Sequence, residues 1–110
     1  KPQFMVNLTN DSWYGNTVEP EQHLFLTKWR SLEFNLPMLR STNTGVTTHL
    51  DHFGQEVSRL DYGLTGNLDI SLKLEKSTPI TPFQRFGLIL ISLLWLSYFI
   101  FHLLLLKLKR

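Results

Sequence analysis

The sequence predicts an α+β fold, a small layered sheet with one helix, followed by a single C-terminal transmembrane helix. Three observations point there. Residues 86–106 read FGLILISLLWLSYFIFHLLLL and carry no formal charge. Upstream of them, short β-prone runs surround one stretch of helical periodicity. Between the two, Leu68, Ile70, Leu72 and Leu74 alternate with polar residues, the cleanest period-2 pattern in the chain.

In order along the chain, residues 4–8 (FMVNL) read as a short buried strand. It runs into the polar loop Asn10-Asp11-Ser12-Trp13-Tyr14-Gly15-Asn16, which displays two large aromatics. Pro20, flanked by Glu19 and Glu21, marks a helix N-terminus, where proline and acidic side chains are favoured. Phe25, Trp29, Leu32 and Leu36 then recur at helical spacing, predicting one apolar stripe, and Arg30 and Glu33 form an i, i+3 pair on another face. Pro37 is expected to end the helix. Residues 38–42 read as extended, Asn43-Thr44-Gly45 as a turn, and 46–50 and 57–60 as a hairpin around Asp51-His52-Phe53-Gly54. A further strand is expected over 68–74. Thr78-Pro79-Ile80-Thr81-Pro82 is a stiff lead-in to the apolar stretch.

About 20 apolar residues, rising 1.5 Å each, cross a hydrocarbon core of roughly 30 Å, so 86–106 is read as a span. Trp95 and Tyr98 fall near mid-span, where they suit packing against other helices, and His102 lies near enough to the end to reach the interface. Lys107, Lys109 and Arg110 follow the span, and Lys73, Lys76 and Arg85 precede it. The denser C-terminal flank leans toward a cytoplasmic C-terminus. A net charge of +2 does not argue for nucleic acid, and the basic residues describe membrane topology better than a polyanion partner. With no cysteine, the chain has no disulfide, thiolate metal site or cysteine nucleophile. His49-Leu50-Asp51-His52 offers ligand types, but structural zinc takes four convergent ligands, and no metal or cofactor is expected. The sequons at Asn7 and Asn10 read as chance, and nothing like a nucleophile elbow surrounds Ser12, so a Ser12-His23-Asp11 triad is rejected. The soluble part, about 80 residues, is small for an independent core, and a strand-like run starts almost at Lys1. The chain is therefore expected to be part of a longer protein.

Several motifs occur in one order: Asn10-Asp11-Ser12-Trp13-Tyr14-Gly15, then Gln22-His23, Arg30-Ser31-Leu32-Glu33, the run from Pro37 through Arg40, Asn43 and Gly45, the Phe53-Gly54 turn, and Thr81-Pro82-Phe83-Gln84-Arg85 before the span. Together they resemble the C-terminal portion of the apolipoprotein N-acyltransferase family, whose soluble domain belongs to the nitrilase (carbon-nitrogen hydrolase) superfamily. The resemblance implies half of a nitrilase-like αββα sandwich over residues 1–77, a linker over 78–85, the span over 86–106 and a basic cytoplasmic tail over 107–110. It implies a bacterial inner-membrane protein with a periplasmic soluble domain.

The resemblance also implies a reaction: transfer of an acyl chain from a phospholipid donor to the N-terminal cysteine amine of a diacylated apolipoprotein, through a thioester. The catalytic cysteine, glutamate and lysine of that pattern would lie upstream, in a missing N-terminal part, so this segment is expected to be inactive alone. Trp13 and Tyr14 match an aromatic loop bordering the lipid-accessible site. Asn10, Asp11, Gly15, Glu33, Arg40, Asn43 and Gly45 match supporting positions, with Glu33 and Arg40 expected to tie helix to strand and Asn43 and Gly45 to shape the turn. An alternative is a non-enzymatic single-span subunit of a larger membrane complex, stable as these 110 residues. An amidase fragment is disfavoured by the apolar tail.

Overall fold

The computed structural model describes residues 2–74 and 78–108. Lys76, Lys109 and Arg110, invoked for the charge flanks, and the expected boundary at residue 77 lie outside the described residues. The elements are β1 (Met5–Thr9), α1 (Glu19–Phe34), β2 (Met38–Thr42), β3 (Thr47–Leu50), β4 (Glu56–Leu60) and α2 (Pro82–Leu108). The strands lie in chain order in one sheet, β1-β2-β3-β4. β1 and β2 are parallel, with Met5 opposite Met38, and the β2–β3 and β3–β4 pairs are antiparallel. The expected hairpin is therefore present. Its turn is closed by Asp51, whose Oδ1 accepts the amides of Phe53 and Gln55, each at 2.8 Å. Gly54 adopts φ 72°, and a Cβ there would sit 2.9 Å from the Lys28 carbonyl oxygen on α1. Only glycine meets both demands.

Helix α1 packs on one face of the sheet, and Leu24, Met38, Val46 and Leu50 form the core, with Met5 against it. Of the predicted apolar stripe only Leu36 is buried. Phe25 is 58% exposed, and Trp29 and Leu32 are exposed too, whereas α1 buries Pro20, Leu24, Thr27 and Ser31. That buried set also keeps helical spacing (i, i+4, i+7, i+11), but it is mostly small or polar. It leaves room for the Arg40 guanidinium, which needs a hydroxyl from the helix more than another methyl group. β1 is likewise not a buried strand. It forms a sheet edge among the described residues, with Val6 and Leu8 exposed on the face away from α1.

α1 ends at Asn35 rather than at Pro37. Asn35 takes the left-handed conformation (φ 51°, ψ 47°), and the amides of Asn35 and Leu36 donate back to the carbonyls of Leu32 and Ser31. Asparagine tolerates that conformation better than most residues, and the crossed pair of bonds closes the helix.

The strand expected over 68–74 is absent. Leu68, Ile70 and Leu72 are half-buried while Asn67, Asp69, Ser71 and Lys73 face solvent, and Leu74, the last member of the pattern, is exposed as well. Leu68 and Ile70 share a recess with Val6, Leu39, Thr47 and Leu60 on the sheet face opposite α1. Period-2 alternation reports an extended chain with one side buried, and lying across a sheet face satisfies it as well as pairing at an edge does.

Helix α2 is long and apolar enough to be a candidate membrane span, with a mean hydropathy of 2.4 and none of its apolar window buried. It begins at a capping box. Thr81 Oγ1 accepts the Gln84 amide (3.1 Å), and Gln84 Oε1 accepts the Thr81 amide (2.9 Å), with Pro82 at the first helical position. The same two side chains close α1. The Thr81 hydroxyl donates to the Glu33 carbonyl (2.5 Å) and Gln84 Nε2 to the Phe34 carbonyl (3.2 Å). Carbonyls in the last turn of a helix have no intrahelical donor. The first turn of α2 supplies two.

Candidate functional site

The loop after β1, the first turns of α1 and the β2–β3 turn converge on Asp11. Its side chain is fully buried, and Arg40, on β2, is 1% exposed. Arg40 Nη2 donates to Asp11 Oδ2 at 2.7 Å. The rest of the guanidinium is also paired: Nη1 donates to Asn7 Oδ1 (2.7 Å) and Thr27 Oγ1 (2.9 Å), and Nε to the Val46 carbonyl (3.3 Å). Asp11 in turn is held by the His23 Nδ1–H at 2.9 Å and by its own amide donating to Asn43 Oδ1 at 3.1 Å. One ion pair thus ties β1, α1, β2 and two loops together. Burial pulls the Arg40 guanidinium below its ordinary value, and Asp11 offsets this only in part.

Of the residues singled out from sequence, this network brings together Asn10, Asp11, Arg40, Asn43 and Gly45. Asn10 Oδ1 accepts Asn43 Nδ2 (2.7 Å) as well as the Ser12 amide and hydroxyl. Ser12 is therefore turned away from His23, although His23 and Asp11 do meet. Gly45 is buried against Asp11: a Cβ there would lie 2.0 Å from Asp11 Oδ2. Trp13, Tyr14 and Gly15 form the tip of the loop. Trp13 is 81% exposed, Gly15 takes φ 65°, and the Tyr14 ring meets the His23 ring edge-on at 5.6 Å. Glu33 is not part of the network. It pairs with Arg30 on its own helix (2.5 Å), so Arg40 alone of the two ties helix to strand. Glu33 does line, with Asn7, His23 and Thr27, an open groove of about 410 Å³ beside α1.

Sequence reasoning missed Asn7, His23 and Thr27 as partners of the ion pair. A threonine recurring in register with Leu24 was the available signal for Thr27. It also missed a second charge cluster that joins α1 to β4. Lys28 Nζ donates to Glu56 Oε1 (2.6 Å), and Arg59 donates to Glu56, Asp61 and Glu21. Burial pushes the Glu56 carboxyl up, but the hydrogen bonds from Lys28 and Arg59 outweigh it and hold the group below its ordinary value of 4.5. Burial pulls Arg59 down, and its three carboxylate partners more than reverse this, leaving it raised. A depressed carboxyl value stabilises the fold fully above the unfolded value, and that contribution is lost as pH falls through the folded one. Acid unfolding monitored by circular dichroism should show it. Glu56→Gln should lose about 1 kcal/mol less stability than the parent between about pH 6 and pH 3. Equal losses would mean the cluster contributes nothing.

No protein-family model matches the chain. Curated proteins do. It is 41% identical over 87 residues to an apolipoprotein N-acyltransferase of Bradyrhizobium diazoefficiens, covering 79% of this chain and 16% of that protein. The chain is similar in sequence to a short stretch of these acyltransferases. It is also 40% identical over 87 residues to apolipoprotein N-acyltransferase 2 of Leptospira interrogans, 78% of this chain and 15% of that protein. With the Bdellovibrio bacteriovorus enzyme of that name the identity is 40% over 83 residues, 76% and 15% of the two chains. The chain spans about one-sixth of the length of these acyltransferases. A match of 87 residues within 110 contains Arg40, Asn43 and Gly45 wherever it begins.

Proposed function

We propose that the chain is the C-terminal portion of a membrane-bound apolipoprotein N-acyltransferase. In this reading it contributes half of a nitrilase-like layered domain and the final span of an enzyme in the bacterial inner membrane. The enzyme moves an acyl chain from phospholipid to the N-terminal cysteine amine of diacylated lipoproteins. The observation that carries the reading is the identity of about 40% over more than three-quarters of this chain to proteins of that name.

The reaction is a two-step acyl transfer through a thioester, in which a thiolate splits one difficult step into two. The sequence has no cysteine, so the nucleophile, with its glutamate and lysine, belongs to a preceding part of the same protein. What these residues do is support the site. The Asp11–Arg40 pair sets the position of the 10–16 loop, and Trp13 and Tyr14, amphipathic and at its tip, border the entrance for the acyl chain. The soluble part faces the periplasm and the C-terminus the cytoplasm. Anchoring by α2 keeps the site beside a donor that lives in the bilayer, raising its effective concentration.

The test is the intact mass and N-terminal peptide of the natural protein purified from its membranes, together with its transfer of acyl chains to a diacylated lipopeptide. The expected result is a mass several times 12.9 kDa, with transfer abolished by thiol alkylation. A stable natural product of about 12.9 kDa with no transfer activity would sink the reading in favour of a single-span subunit.

A further inference from the structure

The junction between α1 and α2 carries a surface that the acyl-transfer reading does not use. Phe34 meets Phe83 edge-on at 6.3 Å, and Phe34, Ile80, Phe83 and Phe86 are all exposed. Phe34 and Ile80 line a shallow recess of about 280 Å³ together with Pro2, Leu36, Thr78 and Gln84. Arg85 lies over the Phe86 ring at 5.5 Å, placing a cation at the same level. Exposed aromatic and aliphatic side chains gathered beside one cation are unfavourable in water. They suit the boundary between lipid chains and headgroups.

Geometry sets their depth. The uncharged stretch begins at Phe86, and Phe83 lies three residues earlier, about 5 Å further out along a helix rising 1.5 Å per residue. The headgroup layer beyond the hydrocarbon is roughly 5–8 Å thick on each side. Phe34 cannot drift from that level, because Thr81 and Gln84 bond the last carbonyls of α1 and Asn35 Nδ2 donates to the Pro79 carbonyl (3.2 Å).

We propose that this face is a membrane-contact surface, seating the C-terminal end of α1 in the headgroup layer of the bilayer crossed by α2. The proposal rests on α2 crossing a bilayer and is independent of the acyl-transfer chemistry. The occupant is lipid, since the surface is continuous with the candidate span and lies within one headgroup thickness of it.

Nitroxide labels are placed singly at Phe34→Cys, Thr65→Cys and Leu94→Cys in the natural protein, with any cysteine outside these 110 cysteine-free residues replaced by serine. The protein is reconstituted in phosphatidylethanolamine–phosphatidylglycerol vesicles, and each label is probed by collision with oxygen and with a water-soluble nickel chelate. Leu94 is mid-span, and Thr65 stands by the opposite end of the sheet. The expected result is nickel collision at residue 34 several-fold below that at residue 65, and oxygen collision below that at residue 94. Ile80→Cys should give the same reading without disturbing the Phe34–Phe83 stack. Labels at 34 and 80 as open to nickel as that at 65, with 94 deep in lipid, would overturn the contact while leaving the span. An aqueous label at 94 would overturn the span and the contact with it. A doubly labelled 34/83 pair should show short-range spin coupling in the same vesicles. Its absence also overturns the proposal, because the latch that positions Phe34 is then not formed.

Discussion

Arg40→Met is expected to cost the sheet about 3–5 kcal/mol, because it removes one member of a buried ion pair and leaves the other charged, buried and short of a donor. Asp11 is fully buried and sits 2.7 Å from Arg40 Nη2. The same substitution strands Asn7 Oδ1, Thr27 Oγ1 and the Val46 carbonyl, all of which accept from this guanidinium. Small domains are stable by only about 5–15 kcal/mol, so the loss is a large fraction of the whole. Native-state hydrogen exchange of the β2 and β3 amides measures it without interference from α2. The double substitution Asp11→Leu with Arg40→Met should recover part of the loss, since replacing a whole buried pair by apolar groups costs less than breaking it. A loss under about 1 kcal/mol for Arg40→Met would show that water reaches the pair and that it does not hold the loops.

Gly45→Ala is expected to be nearly as damaging, though it adds only a methyl group. The new Cβ would lie 2.0 Å from Asp11 Oδ2 and 2.7 Å from Asp11 Cβ and Cγ. Asp11 has only a short side chain, held by Arg40 and His23, while its backbone amide is fixed on Asn43 Oδ1. It cannot swing aside without giving up the ion pair. Overpacking typically costs 1–3 kcal/mol, and the broken pair adds to that, so a loss of about 3 kcal/mol or more is expected. Because both substitutions act on one network, their effects should be strongly sub-additive in a double-mutant cycle. Additive losses would mean that Gly45 matters for its own turn and not through Asp11. In the parent enzyme as proposed above, Gly45→Ala should also free the 10–16 loop, visible as a broadened environment of Trp13 fluorescence.

The local elements were readable because their signals are local. Pro20 with its acidic neighbours marked the start of α1, and Asp51 and Gly54 marked the hairpin turn, whereas the start of α2 at Pro82, inside the stretch read as a linker, emerged only in the structure. The supporting positions Asp11, Arg40, Asn43 and Gly45 were legible only as an ordered set of motifs. Nothing in their spacing said that a carboxylate and a guanidinium 29 residues apart pair in the interior. Glu33, which the same reasoning grouped with Arg40, stays with Arg30 because an i, i+3 partner is always within reach on a helix.

What the sequence determined by itself is where β1, α1, β2 and the hairpin lie along the chain, and the apolar stretch at the C-terminus, since periodicity, turn residues and span length depend on neighbours along the chain. Which face of α1 is buried, and whether residues 68–74 pair or merely lie across the sheet, were decided by the tertiary structure. An amphipathic pattern states that a side must be covered without stating by what. In this protein the buried side of α1 goes to Leu24, Thr27 and Ser31 rather than to Phe25 and Trp29, and the Thr27 hydroxyl is the oxygen it offers Arg40. A buried arginine needs oxygen atoms at hydrogen-bonding distance, and an unsatisfied charge in the interior costs more than an aromatic ring left outside.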